Sequence, residues 1–280
     1  MHESDANTSR SITEDTVQMS VDEKYLFDLT GFLLVRDVLS KEQLEVANAA
    51  IDSMELAQSP EYFGESAALK GENSSTRLGN TAGLLEMEKP FCEPFREMLA
   101  HPKTIPHLNT ILGEGWRLDH GPGLIAMDKG CSGGMLHGSF DNAPYFYREG
   151  KIFTGLCVIE YMLADEGPGD GGVSVVPGSH KANLVCPEKM RKWEQYQEFV
   201  MEINAKAGDA IIFSEACTHG TLPWNADHQR RAIPYKYNGP VPDCWDDLTP
   251  AQQTALLSPS HHSRRPKQSS GYEGLEAIKG

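Results

Sequence analysis

Hydrophobic and polar positions divide the chain in two. Before Trp116 apolar residues recur mostly at helical spacing; from Trp116 onward they gather into short, β-branched runs separated by glycine and proline. Residues 1–20 show no apolar period and read as a flexible tail. The pattern starts at Lys24, where KYLFDLTGFLLVRDVLS predicts a short helix, a turn at Gly31 and a strand over Phe32–Val35. Ser40 with Gln43 has the spacing of a capping box. Leu44, Ala47, Ile51 and Met54 then predict an amphipathic helix over 41–55. Residues 57–90 are mixed and read as loop-rich. Helical spacing returns over Phe91–Leu99 and Thr104–Leu112. Strands are expected at Leu124–Met127, Thr154–Leu163, Val173–Val176, Phe199–Asn204, Ala210–Ser214 and Ala232–Tyr237. The fold class that follows is mainly β, a sandwich or jelly-roll barrel with flanking helices. The charged stretch Lys181–Gln197 reads as a helix or lid, and residues 258–280 as a loose tail. A single domain over 21–257 accommodates these elements, helical over 21–115 and β over 116–240.

Composition narrows the function classes. The 280 residues carry 25 lysines and arginines against 40 aspartates and glutamates, a formal charge of −15. Such a surface repels phosphate backbones and anionic lipid, so neither a nucleic acid nor a membrane is the expected partner. No run approaches the roughly eighteen apolar residues of a membrane span. The polar, acidic N-terminus lacks the pattern of a secretory signal. The six cysteines form no C-x-x-C pair and read as reduced core thiols, which places the protein in the cytoplasm.

Two glycine motifs fail on context. Gly167, Gly169 and Gly172 satisfy G-x-G-x-x-G, but the strand-like VSVV follows where a dinucleotide site needs a helix. Gly130, Ser132 and Gly134 satisfy G-x-S-x-G. The glycines and proline after it oppose the helix of a nucleophile elbow, leaving a serine hydrolase built on Ser132 as a rival from another class.

Histidines carry the chemistry. Of ten, His137 follows a strand-like run and His219 ends the strong strand AIIFS region. An isolated histidine is usually a hydrogen-bonded or surface residue. Two at sheet rims, joined by a carboxylate, make the facial triad that holds iron(II) with open positions. Arg230 and Arg231 begin another strand, and a guanidinium suits the carboxylate of an oxo-acid chelating that metal. His180 and Asp170 read as turn residues, His120 as an ordinary strand position, His261 and His262 as solvated, and Trp224 and Tyr235 as core.

Four segments together resemble the phytanoyl-CoA dioxygenase family of iron(II)/2-oxoglutarate oxygenases: GFLLVRDVLSKEQLEVA, the segment around His137, DGGVSVVPGSHKAN and AGDAIIFSEACTHGTLPWNADHQRRA. They span about Tyr25–Tyr237. The resemblance implies a double-stranded β-helix (jelly-roll, cupin-like) core with helices on one side. It implies Fe(II) bound by His137 and His219, with 2-oxoglutarate as co-substrate, its far carboxylate on Arg230. Arg231 is the second candidate, which strand alternation would point to the other face. The implied reaction is oxidation of an unactivated C–H bond of a small molecule by O2.

One position departs from the family. Its His-x-Asp motif here reads His137-Gly138-Ser139. Three outcomes stay open. Asp141 completes the triad through a bulge eased by Gly138, although it also suits a turn before Pro144. Alternatively the carboxylate is absent and chloride takes its place, as in halogenating relatives. Or the iron is weakly held and the protein is a metal-dead binding module.

Overall fold

The computed structural model describes residues 18–53, 76–78, 84–138 and 144–239. Ser20 opens helix α1 (Val21–Thr30): its hydroxyl accepts from the Glu23 N–H while the Glu23 carboxylate accepts from the Ser20 N–H. Met19 is buried and its N–H donates to Thr110 Oγ1 at 3.0 Å. Ordered structure therefore begins ahead of Lys24, where the apolar pattern starts. Gly31 ends α1 in the left-handed region (φ 87°) and turns the chain into β1 (Phe32–Val35). The second helix, α2 (Lys41–Ser53), starts with the reciprocal Ser40–Gln43 cap expected from their spacing.

The chain continues through β2 (Thr76–Leu78), α3 (Glu93–Leu99), α4 (Ile105–Leu112), β3 (Arg117–His120), β4 (Ile125–Met127) and β5 (Gly134–His137). A hairpin of β6 (Tyr145–Arg148) and β7 (Lys151–Thr154) precedes β8 (Cys157–Met162) and β9 (Gly172–Val175). The short helix α5 (Glu188–Arg191), β10 (Met201–Glu202), β11 (Ala210–Ser214), β12 (His219–Leu222) and β13 (Arg230–Asn238) complete it. Every strand pair among the described residues is antiparallel. One sheet runs β1-β11-β8-β13-β4-β2, with β3 also on β13; the other runs β10-β9-β12-β5. This is the mainly-β, two-sheet jelly roll with flanking helices that the pattern predicts.

Some expected boundaries shift. The run expected as one strand over Thr154–Leu163 holds the end of β7 and then β8. Phe199 lies in a 3-10 turn and β10 pairs over two residues only. The edge strand β2 lies in the stretch read as loop. The Lys181–Gln197 segment contains α5 and turns, and it covers a sheet edge. Arg191 Nε donates to Leu136 O (3.2 Å) and Trp193 Nε1 to Gly134 O (3.0 Å), both on β5.

The larger sheet is buried on both faces, so β8 and β11 read as nearly continuous apolar runs. Ile159, Tyr161, Ile212, Tyr235 and Tyr237 face the helices and pack with Ile51, Phe95, Met98 and Leu108. The hydroxyls of Tyr161, Tyr235 and Tyr237 donate to the carbonyls of Met98, Phe95 and Leu99, and those of Met98 and Leu99 are groups that the end of α3 leaves open. Alternate residues enter the space between the sheets: Val158, Met162, Ile211, Phe213 and Ala232 meet Val173 and Val175 of the smaller sheet. Glu160 and Arg230 enter with them. Trp224 and Tyr235 are buried core residues, as expected. Among the described residues no helix is long and apolar enough to cross a membrane.

Candidate metal centre

His137 closes β5 and His219 opens β12, and these strands are neighbours in the smaller sheet with the two histidines in direct register. Opposed residues of an antiparallel pair project from the same face. The imidazole rings accordingly stand 4.2 Å apart between centroids, tilted by 55°. His137 Nδ1 lies 3.0 Å from Met135 O, and His219 Nδ1 lies 2.7 Å from Cys217 O. A carbonyl can only accept, so each Nδ1 carries a proton and each Nε2 is the nitrogen left to face a metal. Burial, reinforced by His137, pushes the His219 pKa down to about 3, so this imidazole is neutral at ordinary pH. A neutral ring whose far nitrogen is tied to a backbone acceptor is the arrangement of a metal ligand.

A third group, absent from the sequence reading, joins them. Glu215 lies in the turn between β11 and β12, and its carboxylate and the two imidazoles offer ligand atoms all within 4.8 Å of one another. Its Oε1 is 3.9 Å from His219 Nε2, too long for a hydrogen bond. Lys236, on the inward face of β13, approaches Glu215 Oε2 at 3.2 Å. Burial alone would raise the Glu215 pKa. Lys236, then His219 and His137, outweigh it and hold the carboxyl down at about 2. Since His219 is neutral, the Lys236 ammonium is the partner that matters most there. The signal in the sequence was the charge at the end of the buried run AIIFSEA, four residues before His219.

Gly138 makes the approach of these segments feasible. Its φ is +88°, and a Cβ there would lie 2.5 Å from Cys217 O and 2.6 Å from Glu215 O. A side chain would push β5 away from the turn that carries Glu215. Ser139 and Asp141 lie outside the described residues.

At the other end of the inter-sheet space Arg230 is wholly buried. Its Nε donates to Glu166 Oε1 at 2.5 Å and its Nη2 to Glu160 Oε1 at 2.8 Å, while Nη1 has no hydrogen-bond partner. Glu166 is pushed up to about 7: burial and the neighbouring Glu160 raise it, and Arg230 opposes them. Gly172 leaves the room this pair needs, since a Cβ there would meet Glu166 Oε2 at 2.2 Å. The glycine run thus spaces an ion pair, and Asp170 holds its turn by accepting from the Gly167 N–H. Arg231 does not join the site. Strand alternation sends it to the helix side, where it bonds Asp52 (2.6 Å) and Asn48 (3.0 Å) of α2. That corrects the expectation of a co-substrate contact from Arg231.

Other candidates have structural places. His180 is buried, and its Nε2 donates to Asp28 O at 3.0 Å. Ser132 is exposed and leads into β5, so the strand-turn-helix of a nucleophile elbow is absent there. His120 ends β3; His261 and His262 lie outside the described residues.

The fold and the paired histidines define a jelly-roll protein of the non-haem metal-dependent oxygenase type. The sequence matches the family model of phytanoyl-CoA dioxygenase over residues 27–232, and the chain belongs to that family, an enzyme family of 2-oxoglutarate-dependent oxygenases. A comparison with curated proteins finds no significant match. Among solved structures, HygX from Streptomyces hygroscopicus with nickel, 2-oxoglutarate and hygromycin B bound aligns with a TM-score of 0.65 at 18% identity, covering 79% of this chain and 88% of that one. EctD from S. alaskensis in its apoform aligns at 0.56 and 18%, covering 82% and 80%. The non-haem alpha-ketoglutarate-dependent carbocyclase SnoK from nogalamycin biosynthesis aligns at 0.54 and 14%, covering 84% and 93%. At these identities the likeness speaks to the shared fold.

Proposed function

We propose that this protein is an Fe(II)- and 2-oxoglutarate-dependent oxygenase that oxidises an unactivated C–H bond of a small molecule. The observation that carries the reading is the register of His137 with His219, which brings the two imidazoles to one point with Nδ1 of each tied to a backbone carbonyl. The donor set fits a ferrous ion: two imidazoles beside a buried carboxylate. For 2-oxoglutarate, the unpartnered Nη1 of buried Arg230 fits its far carboxylate, while Glu160 and Glu166 occupy the other donors of that guanidinium. Iron and 2-oxoglutarate, when bound, would let O2 act as the oxidant: the oxo-acid would give up two electrons in becoming succinate and CO2, taking one oxygen atom, and the other oxygen atom would oxidise the substrate.

The chain's own part is holding and excluding. His137 and His219 hold the metal in orientations set by the Met135 and Cys217 carbonyls. Val158, Phe213 and Val175 help wall the inter-sheet space with apolar surface, which keeps water from the reacting atoms. The Lys181–Gln197 segment, seated on the strand that carries His137, is the candidate lid. SnoK's description as a carbocyclase and HygX's crystallisation with hygromycin B support a small-molecule substrate, on a fold that serves more than one oxidative outcome. Free thiols at the described cysteines support a reducing, cytoplasmic setting.

Anaerobic Fe(II) titration, followed by 2-oxoglutarate turnover in air, tests this. The wild type should bind one iron and form succinate. His137→Ala and His219→Ala should each weaken iron binding by at least about 100-fold, each removing a direct ligand where even supporting partners are worth roughly 10–100-fold. Unchanged iron affinity in both variants would sink the reading.

A further inference from the structure

An iron centre of this type is held by two imidazoles and one carboxylate. The family's carboxylate position is Ser139 in this chain, and a hydroxyl is a poor ligand for Fe(II). We propose that Glu215, from the turn between β11 and β12, supplies the missing carboxylate and completes a His137–Glu215–His219 triad. The proposal rests on the reading of the two histidines as iron ligands and adds the third.

Three independent features place Glu215 there. Its carboxylate shares a 4.8 Å cluster of ligand atoms with both imidazoles without hydrogen-bonding either. Its Oε2 is buried, and the Lys236 ammonium 3.2 Å away is the charge that faces it. A carboxylate offers about four lone-pair sites, so one ammonium at its edge leaves others open to a metal ion. The turn is also rigidly positioned: Glu215 N–H donates to Leu156 O and Ser214 N–H to Gly31 O, both at 3.0 Å. Gly138 leaves the space for this turn against β5. Lys236 flanks the carboxylate from β13 and orients it, as a group supporting a ligand does.

The route differs from the family's. The carboxylate arrives from the side of the second histidine, four residues ahead of it, instead of two residues after the first. With three protein ligands in place, the remaining positions of a six-coordinate ion suffice for a bidentate oxo-acid and O2. No carboxylate vacancy is left for a halide, so the site is built for oxidation without halogenation.

The test uses the full chain, with Fe(II) affinity and the visible spectrum of the Co(II)-substituted protein as readouts. Glu215→Gln keeps the shape of the side chain and serves with Glu215→Ala; circular dichroism checks that both fold. Both variants should bind Fe(II) on the order of tenfold or more weakly and shift the Co(II) bands, by analogy with the 10–100-fold sensitivity of metal sites to their supporting groups. Adding formate to Glu215→Ala should return the Co(II) bands toward those of the wild type. Asp141→Asn should leave affinity and spectrum as in the wild type. Folded Glu215 variants with wild-type affinity and spectrum would overturn the proposal. So would loss of iron in Asp141→Asn alone. If the wild type itself fails to bind Fe(II), the histidine reading falls as well.

Discussion

The two ends of the inter-sheet space hold the same kinds of charge and treat them differently. At one end Lys236 and Glu215 stand beside His137 and His219, and several lone pairs point together without bonding one another. At the other, Arg230 is clasped by Glu160 and Glu166, and two of its three nitrogens are already engaged. In the first, the imidazoles and the carboxylate are not bonded to one another, and Lys236 is the cation against the carboxylate. The second must give something up to receive an anion, and the proton-holding tendency of Glu166 supplies the means. Stability and ligand binding are therefore weighted differently at the two ends.

The sharpest test of this contrast is Arg230→Met, which strands two buried carboxylates. Breaking one side of a buried ion pair costs about 3–5 kcal/mol, so a large drop in Tm or in the urea midpoint should follow. The triple variant with Glu160→Gln and Glu166→Gln should recover much of it. An unchanged midpoint in Arg230→Met would show that the clasp contributes nothing to folding.

A smaller effect concerns pH. The Glu166 pKa is raised to about 7, so the neutral form gains population as pH falls below that value. An arriving carboxylate adds negative charge beside it and favours the neutral form further. Affinity for 2-oxoglutarate should thus be higher at pH 6 than at pH 8, by up to roughly tenfold for a shift of one pKa unit. Glu166→Gln should flatten the dependence, measured anaerobically on the iron-loaded protein. A slope that persists in that variant would assign the titration elsewhere.

The smallest effect belongs to the neighbouring arginine. Arg231 pairs with a mostly exposed Asp52, and such pairs contribute at most about 1 kcal/mol. Arg231→Met should shift the midpoint slightly and leave 2-oxoglutarate affinity unchanged. A loss of co-substrate binding there would reverse the roles assigned to the two arginines.

Adjacent residues with such unequal roles show how much was legible in advance. Period-2 alternation told that Arg230 and Arg231 face opposite ways, and the resemblance named Arg230 as the candidate for the co-substrate. The Ser40–Gln43 cap, the Gly31 stop and the run AIIFS were equally readable, because each depends on neighbours a few residues away. Glu160 left a faint trace as the single charge in CVIEYM, though nothing local named Arg230 as its partner.

What the sequence determined by itself was the local conformation, the two-sheet class and the pair of histidines, since backbone preference and side-chain periodicity act over short spans. Tertiary structure alone decided that β5 and β12 become neighbours in register, and that the turn bearing Glu215 folds against Gly138. Those meetings depend on how two sheets close over one another. The free energy that selects them is spread over the apolar residues between the sheets, so no short stretch of the chain encodes it.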